Sequence, residues 1–161
     1  MMRALVLVVM LVCAIPALAS DWGYYSNARF GYGIDIPPDF TGLGESDNGD
    51  GQRFERTGRA QILVVWGGNA LAGFGVETAE RIGYLAPKGW NVTYQATTPT
   101  WASFSAVAGQ RVLYQRMIAL CGGQQYAAFQ LKYSMIDIAK MNAVVEQLVA
   151  SLSAETSRNC Q

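Results

Sequence analysis

The sequence predicts an α+β fold in which a mainly antiparallel sheet is covered by two helices. Two observations lead to this expectation. Short segments of alternating polarity are separated by glycine- and proline-containing turns at hairpin spacing. Only two segments have helical periodicity, one in the middle of the chain and one near its end. A doubly wound parallel sheet would instead need a helix after nearly every strand.

The first predicted strand lies around residue 30, after an extended lead-in at residues 21–26. Arg29 to Pro37 alternates in polarity, and Pro37-Pro38 ends the strand because proline has no backbone N–H to donate. Residues 41–51 are rich in Gly, Asp and Asn, which predicts a loop of consecutive turns. Two further strands are expected at Gln52–Arg56 and Ala60–Trp66.

The centre of the chain predicts one helix between two groups of strands. Gly67 to Gly75 is expected to be a flexible connection, followed by a helix from Val76 to about Ala86 that ends before Pro87. The polar segment Asn91–Thr97 suits an edge strand. The other expected strands, the first two joined at Ala108-Gly109, are Trp101–Val107, Gln110–Leu120 and Gln124–Tyr133.

The last helix has the clearest pattern. Ser134 to Asp137 matches a capping box, in which a serine is followed three residues later by an acid. Apolar residues then recur at steps of three and four, as they do on one face of an amphipathic helix; they are Ile138, Met141, Val145, Leu148 and Leu152. Such a face is expected to pack on the sheet.

The segment from Tyr25 to Pro37, with Phe40 shortly after it, reads Tyr-Ser-Asn-Ala-Arg-Phe-Gly-Tyr-Gly-Ile-Asp-Ile-Pro. It resembles the entry strand of PsbP-like, Mog1-like and DcrB-like proteins, and the closing helix at 135–152 sits where their last helix sits. The resemblance implies a sandwich of sheet and helices and a non-enzymatic accessory protein that binds or stabilises a larger partner. We expect the exported bacterial branch of this group.

A leader of residues 1–19 precedes that domain. Arg3 is followed by an apolar run from Ala4 to Ile15, and an A-x-A pattern predicts cleavage between Ala19 and Ser20. The run is too short to span a bilayer. We therefore expect a single periplasmic or secreted α+β domain, residues 20–161, with no stable membrane insertion after cleavage.

The cysteines agree with export. Cys13 leaves with the leader, and the remaining pair, Cys121 and Cys160, predicts one disulfide in an oxidising compartment. They lack the C-x-x-C spacing of a redox-active pair. The alternative is a lipoprotein acylated at Cys13, although Val12 stands where such signals carry a small residue.

Composition excludes several chemistries. The chain has no histidine, which removes Ser-His-Asp and Cys-His catalysis and His-ligated zinc. Its 12 basic and 12 acidic residues balance, so nucleic acid is not expected as a partner. Glycine spacing at 68–73 imitates a P-loop but lacks the following lysine, which argues against nucleotide binding.

Two groups of residues suggest ligand sites. The oxygens of Glu45, Asp47, Asn48 and Asp50 could hold calcium, although the EF-hand spacing fails and turn formation explains the same residues. Arg116 lies within an apolar strand, where register decides its side. A two-residue turn at Gly122-Gly123 would place it beside Phe129 on the inner face, where it would need a partner and mark a ligand pocket; a three-residue turn would place it outside.

These observations predict a monomeric, exported, non-enzymatic protein that needs no cofactor and acts by contact with another envelope protein. One alternative is a small-ligand carrier with a pocket between sheet and helix, covered by residues 67–75. The other is a hydrolase in which two carboxylates converge. No nucleophile elbow or S-x-x-K motif organises a catalytic serine.

Overall fold

The computed structural model describes residues 21–156 and 160. The strands are β1 (Gly23–Asn27), β2 (Tyr32–Ile36), β3 (Phe40–Glu45), β4 (Gly51–Arg56), β5 (Ile62–Asn69), β6 (Asn91–Thr97), β7 (Trp101–Ala108), β8 (Arg111–Leu120), β9 (Gln125–Ser134) and β10 (Ser153–Ala154). The α-helices are α1 (Phe74–Gly83) and α2 (Ile138–Ser151), and short 3₁₀ turns occupy Ala86–Lys88, Cys121–Gly123 and Met135–Asp137.

The strands form two antiparallel sheets. The larger has seven strands in the order β3-β4-β5-β9-β8-β7-β6, and the smaller has three in the order β1-β2-β10. Strand β6 is an edge strand of the larger sheet, as its polar sequence predicts. The α+β architecture with an antiparallel sheet and two helices is therefore confirmed.

One face of the large sheet packs against α2 and the small sheet. The residues buried here are Tyr32 and Ile34 of β2, Met141 and Leu148 of α2, and Leu63, Phe129 and Leu131 of β5 and β9. The prediction is wrong for Ile138, the first residue of the apolar face expected on the last helix, because it is exposed. The ring centroid of Tyr25 lies 5.7 Å from that of Phe54, in an edge-on contact between the two sheets. This is the larger of the two apolar cores.

The opposite face packs against α1 and the 3₁₀ turn after it. Its core contains Phe74, Leu85, Trp90, Phe104 and Met117. The large sheet is thus covered on both sides, and its central strands are apolar toward both layers. Among the described residues, no helix is long and apolar enough to cross a bilayer.

Several local predictions are wrong. The lead-in at 21–26 lies largely in β1, and the predicted loop at 41–51 is a hairpin, with β3 ending at Glu45 and β4 beginning at Gly51. Strands β1 and β3 carry glycine and polar residues, and the side chains of β3 are mostly exposed. Alternation of polar and apolar residues therefore gives no strand signal in these two segments.

The glycine-rich segment is also ordered differently from the prediction. Gly67 and Gly68 belong to β5, and α1 begins at Phe74, two residues before the predicted start. A Cβ at Gly67 would lie 2.6 Å from the Cβ of Phe30, so glycine here permits the β1–β2 turn to pack closely on the large sheet. The segment is therefore not a flexible lid over its whole length.

The predicted capping box is wrong as well. Ser134 precedes a 3₁₀ turn, and Asp137 occupies the N-cap of α2, with no side-chain cap hydrogen bond at either residue. The Asp137 carboxylate instead accepts a hydrogen bond from Gln61 Nε2 at 3.0 Å. A tertiary hydrogen bond has replaced the local cap.

Candidate binding face

The oxygens predicted for calcium help to form the β3–β4 turn. Glu45 accepts a hydrogen bond from Tyr25 Oη at 2.8 Å. Asp50 accepts from Ser46 Oγ at 2.6 Å and from Asn48 Nδ2 at 2.9 Å, and Asp47 is exposed. Residues 21–156 and 160 contain no cluster of three acidic, cysteine or histidine side chains suited to a metal. Calcium binding stays a prediction.

Cys121 and Cys160 lie together. The Sγ atoms of Cys121 and Cys160 are bonded as a disulfide, with Cα atoms 5.4 Å apart, which joins the C-terminal tail to the β8–β9 turn. The predicted cleavage site at Ala19 and Ser20, and Cys13, lie outside the described residues.

Arg116 pairs across the strands with Phe129, on the sheet face that packs against α2. Its Nη1 donates to Ser103 Oγ at 3.0 Å, and its guanidinium lies 4.3 Å from the ring centroid of Trp101. Burial lowers the pKa of this guanidinium. Both contacts of the Arg116 side chain are with residues of this chain, and neither is with a ligand. Its role in a ligand pocket therefore stays a prediction.

A different cluster of charged and aromatic residues lies on the face that packs against α1. We call it the basic face and define it as Trp66 of β5, Arg81 and Tyr84 at the end of α1, Lys88, Trp90, Arg111 and Gln115 of β8, and Gln130 and Lys132 of β9. The pairing of β5 with β9 and of β9 with β8 places the strand residues on one side. These residues, apart from Arg111, line a cavity of about 150 Å³ together with Leu85 and Leu113.

Cations and aromatic rings alternate across the basic face. The Arg81 guanidinium lies 5.6 Å from the ring centroids of both Trp66 and Tyr126. The Arg111 guanidinium lies 5.2 Å from the ring of Trp90. The Lys88 ammonium lies 5.8 Å from the ring of Tyr84. Each pair places a cation against the electron-rich face of a ring, and for Arg111 and Lys88 no carboxylate among the described residues takes part.

Carboxylates balance only part of this charge. Arg81 Nε donates to Glu77 at 2.8 Å, and Arg53, at the margin of the face, pairs with Glu55. Within the part of the chain that the structure describes, Lys88, Arg111 and Lys132 take part in no ion pair. The basic face therefore keeps an excess of positive charge, although the whole chain is nearly neutral.

Solved structures of PsbP and Mog1 proteins resemble this chain. The solution structure of cyanobacterial PsbP (CyanoP) from Synechocystis sp. PCC 6803 gives a TM-score of 0.59 at 15% identity, over 90% of this chain and 98% of that one. The crystal structure of the Saccharomyces cerevisiae Ran-binding protein Mog1p gives 0.61 at 10% identity, over 86% and 98%. A Mog1 point mutant gives 0.60 at 10% identity, over 85% and 98%. The chain has a PsbP/Mog1-like fold.

No family model and no curated protein matches the sequence. At such low identity the likeness establishes the fold and leaves the function open. The resemblance stated from the Tyr25–Pro37 segment is confirmed at that level.

Sequence reasoning missed the basic face of this PsbP/Mog1-like fold. One signal was available: Gln115, Gln130 and Lys132 are polar residues in central strands that are otherwise apolar. In a sheet covered on both sides, such residues indicate a polar site between the sheet and its helix. These three residues lie together because of the register between β8 and β9, and the sequence alone did not predict their common site.

Proposed function

We propose that the protein is an exported, monomeric, non-enzymatic accessory protein that binds an acidic partner protein of the cell envelope through the basic face. The observation that carries this proposal is the excess positive charge held against Trp66, Trp90 and Tyr84. Tryptophan, tyrosine and arginine are the residues that contribute most at protein interfaces. Unpaired cations around them favour a partner with an acidic surface.

Two further observations support the proposal. The yeast protein of similar fold is described as Ran-binding, so this fold is compatible with protein recognition. The leader pattern at residues 1–19 and the Cys121–Cys160 disulfide are both expected of a protein that matures outside the cytoplasm.

The hydrolase alternative gains no support from the cavities. Four cavities in the described part of the chain have walls that contain at most one carboxylate each. A glycoside hydrolase needs a pair of carboxyl groups facing one another.

The binding proposal is tested by capture from the envelope fraction of the native cells, with the mature chain as bait. We expect an acidic protein to be retained at low ionic strength and released as salt is raised. Lys88→Glu should abolish its capture. Lys140→Glu is the matched control, because it makes the same charge change at an exposed position on α2. Equal capture by wild type and Lys88→Glu would exclude the basic face as the docking surface.

The export part is tested separately by mass spectrometry of protein from native cells. The expected product begins at Ser20 and contains no free thiol. An intact leader or two free thiols would contradict it.

The small-ligand carrier remains a second candidate because of a cavity between α1 and β6. This cavity has a volume of about 620 Å³, which is within the range of ligand pockets. Its lining has no aromatic residue and combines aliphatic residues such as Ile82 and Pro99 with Gln95 and three threonines. Retention of a small apolar molecule by the purified protein, identified by mass spectrometry, would favour this candidate.

A further inference from the structure

The cavity of the basic face is lined by a buried donor that lacks an acceptor. Gln115 is only 2% exposed and forms part of the cavity wall. Its Oε1 accepts a hydrogen bond from Gln130 Nε2 at 2.8 Å. Its Nε2 has no hydrogen-bond partner among the described residues. Buried amide groups are almost always paired, so this donor indicates an acceptor from outside the chain.

Lys132 brings a positive charge to the same cavity. It lies two residues after Gln130, which is the partner of Gln115 across β8 and β9. Gln115 and Lys132 are therefore diagonal neighbours on one sheet face, with Cβ atoms about 7–8 Å apart. A small acceptor between the two side chains can be reached by both.

The electrostatic surroundings of Lys132 favour an anion. Burial lowers the pKa of its ammonium, and the nearby charges of Arg111, Arg53 and Lys88 lower it further. No ion pair within residues 21–156 includes Lys132. A bound anion would compensate for both the desolvation and the repulsion.

We infer that this cavity binds a carboxylate group, with one oxygen accepting a hydrogen bond from Gln115 Nε2 and the other pairing with the Lys132 ammonium. The inference rests on the proposed function, since the carboxylate is expected to belong to an acidic side chain of the partner protein. A small free carboxylate has the same chemistry and is the other possible source.

A carboxylate fits the available donors better than phosphate or sulfate does. Arg81 is the group in the wall best suited to a tetrahedral oxyanion, but its Nε is bound to Glu77 and its Nη2 donates to Tyr126 Oη at 2.6 Å. Gln115 Nε2 and the Lys132 ammonium match the two oxygens of a carboxylate, and Trp66 Nε1 is a further buried donor in this wall without a hydrogen-bond partner among the described residues. At about 150 Å³, the cavity also admits one small group and not a whole drug-sized ligand.

The test uses the processed, disulfide-bonded chain and its tryptophan emission, because Trp66 and Trp90 line the cavity. Succinate is titrated at constant ionic strength, and a saturable change is expected. Lys132→Met and Gln115→Met should each weaken binding about tenfold or more, since each removes a hydrogen bond to a charged group. The matched control is Lys140→Met on α2, which should stay within about twofold of wild type. An unchanged affinity in Lys132→Met would overturn the inference.

A second arm distinguishes the source of the carboxylate. The peptide N-acetyl-Ala-Glu-Ala-amide is expected to bind and to compete with succinate, whereas the same peptide with Gln in place of Glu should not. Succinate binding without Glu-peptide binding retains the site and assigns it to a free carboxylate. Equal responses to the Glu and Gln peptides, or equally tight binding of phosphate, would overturn the inference.

A third measurement uses the wild-type protein, so it does not depend on whether a variant folds. In wild type with ¹³C-labelled lysine, saturating succinate should raise the pKa of Lys132 as followed by its Cε signal, and an unchanged pKa would overturn the inference. The two proposals fail separately. If Lys88→Glu abolishes partner capture but succinate does not bind, only the carboxylate site is wrong; if succinate binds but no partner is captured, only the partner proposal is wrong.

Discussion

At the scale of one residue, Asn27 holds the start of the Tyr25–Pro37 segment in place through its side-chain hydrogen bonds. The side chain is 1% exposed. Its Nδ2 donates to Tyr25 Oη at 3.1 Å and to the Gly49 carbonyl at 3.0 Å, and its Oδ1 accepts from the Phe30 backbone N–H at 3.0 Å. One amide thus holds the β1–β2 turn and ties it to the β3–β4 turn. The sequence showed the asparagine but not its three partners.

Asn27→Ala should lower the free energy of unfolding by about 2–4 kcal/mol, because buried groups that lose their partners are costly. The measurement is urea denaturation at equilibrium. Asn142→Ala on α2 is the control, because Asn142 is exposed, and its effect should stay within about 0.5 kcal/mol. Equal stabilities of the two variants would show that the Asn27 network does not stabilise the fold.

Lys132 gives a prediction about pH. Burial holds its pKa below the ordinary value of 10.5, so the unfolded chain binds the proton more tightly than the folded chain. The stability of the wild type therefore rises as pH increases through the window between the lowered pKa and 10.5. Lys132→Met should raise the melting temperature at pH 7 by roughly 1–3 °C, and this gain should disappear near pH 10.5.

Calorimetry across this pH range measures the difference from wild type. Lys140→Met is the matched control, because Lys140 is exposed on α2, and its melting temperature at pH 7 should stay close to that of wild type. A loss of stability in Lys132→Met at pH 7 would contradict the prediction. Lys132→Met is also expected to bind succinate weakly. If it is more stable than wild type, this weak binding cannot result from unfolding of the protein.

At the scale of elements, the close approach of β4 and β5 depends on Gly51. A Cβ at this position would collide with the Val65 carbonyl oxygen and lie 2.7 Å from the Cα of Trp66. Both are backbone atoms of the neighbouring strand, so no side-chain movement can relieve the contact. Gly83, at the end of α1, has open space where its Cβ would be.

Gly51→Ala should destabilise the protein by about 3 kcal/mol or more, because the two strands must separate. Gly83→Ala should instead stabilise it by up to about 1 kcal/mol, since alanine is the better helix former. Thermal unfolding followed by circular dichroism compares the two. Destabilisation of similar size in both variants would contradict the prediction that a Cβ is excluded at Gly51 and accommodated at Gly83.

The elements also show where periodicity is a reliable guide. Helix α2 and strands β2, β8 and β9 have one or two buried faces, and their apolar patterns predicted them within a few residues. Strands β1 and β3 are short and polar, and the sheet pairing that creates them involves residues elsewhere in the chain. Their formation therefore depends on tertiary contacts that a local pattern does not contain.

For the molecule as a whole, the disulfide closes the last part of the chain. Cys121 and Cys160 are 39 residues apart and enclose β9 and α2. The Glu155 backbone N–H donates to the Gly31 carbonyl at 2.9 Å, which attaches the segment after α2 to the β1–β2 turn. The tail is thus joined to two separate parts of the fold.

The double variant Cys121→Ala and Cys160→Ala should lose up to about 4 kcal/mol of unfolding free energy, from the chain entropy of a loop of this length. Guanidinium denaturation with and without dithiothreitol measures the effect. Reductant should bring the wild type to the level of the variant and leave the variant unchanged. A wild type whose stability is insensitive to reductant would contradict this.

The sequence by itself determined the α+β class, the long central strands, the closing helix and the pairing expected of the two mature cysteines. These follow from periodicity, turn residues and the cysteine count, which are local or compositional properties. Only the tertiary structure decided the basic face. Arg81, Lys88, Arg111 and Lys132 are spread over about a third of the chain. The antiparallel register of β5, β9 and β8 together with the position of α1 brings them onto one face, where all but Arg111 line one cavity. A shift of one residue in that register would turn the strand side chains to the other face. The register depends on the pairing of distant strands, so the local sequence pattern does not determine it.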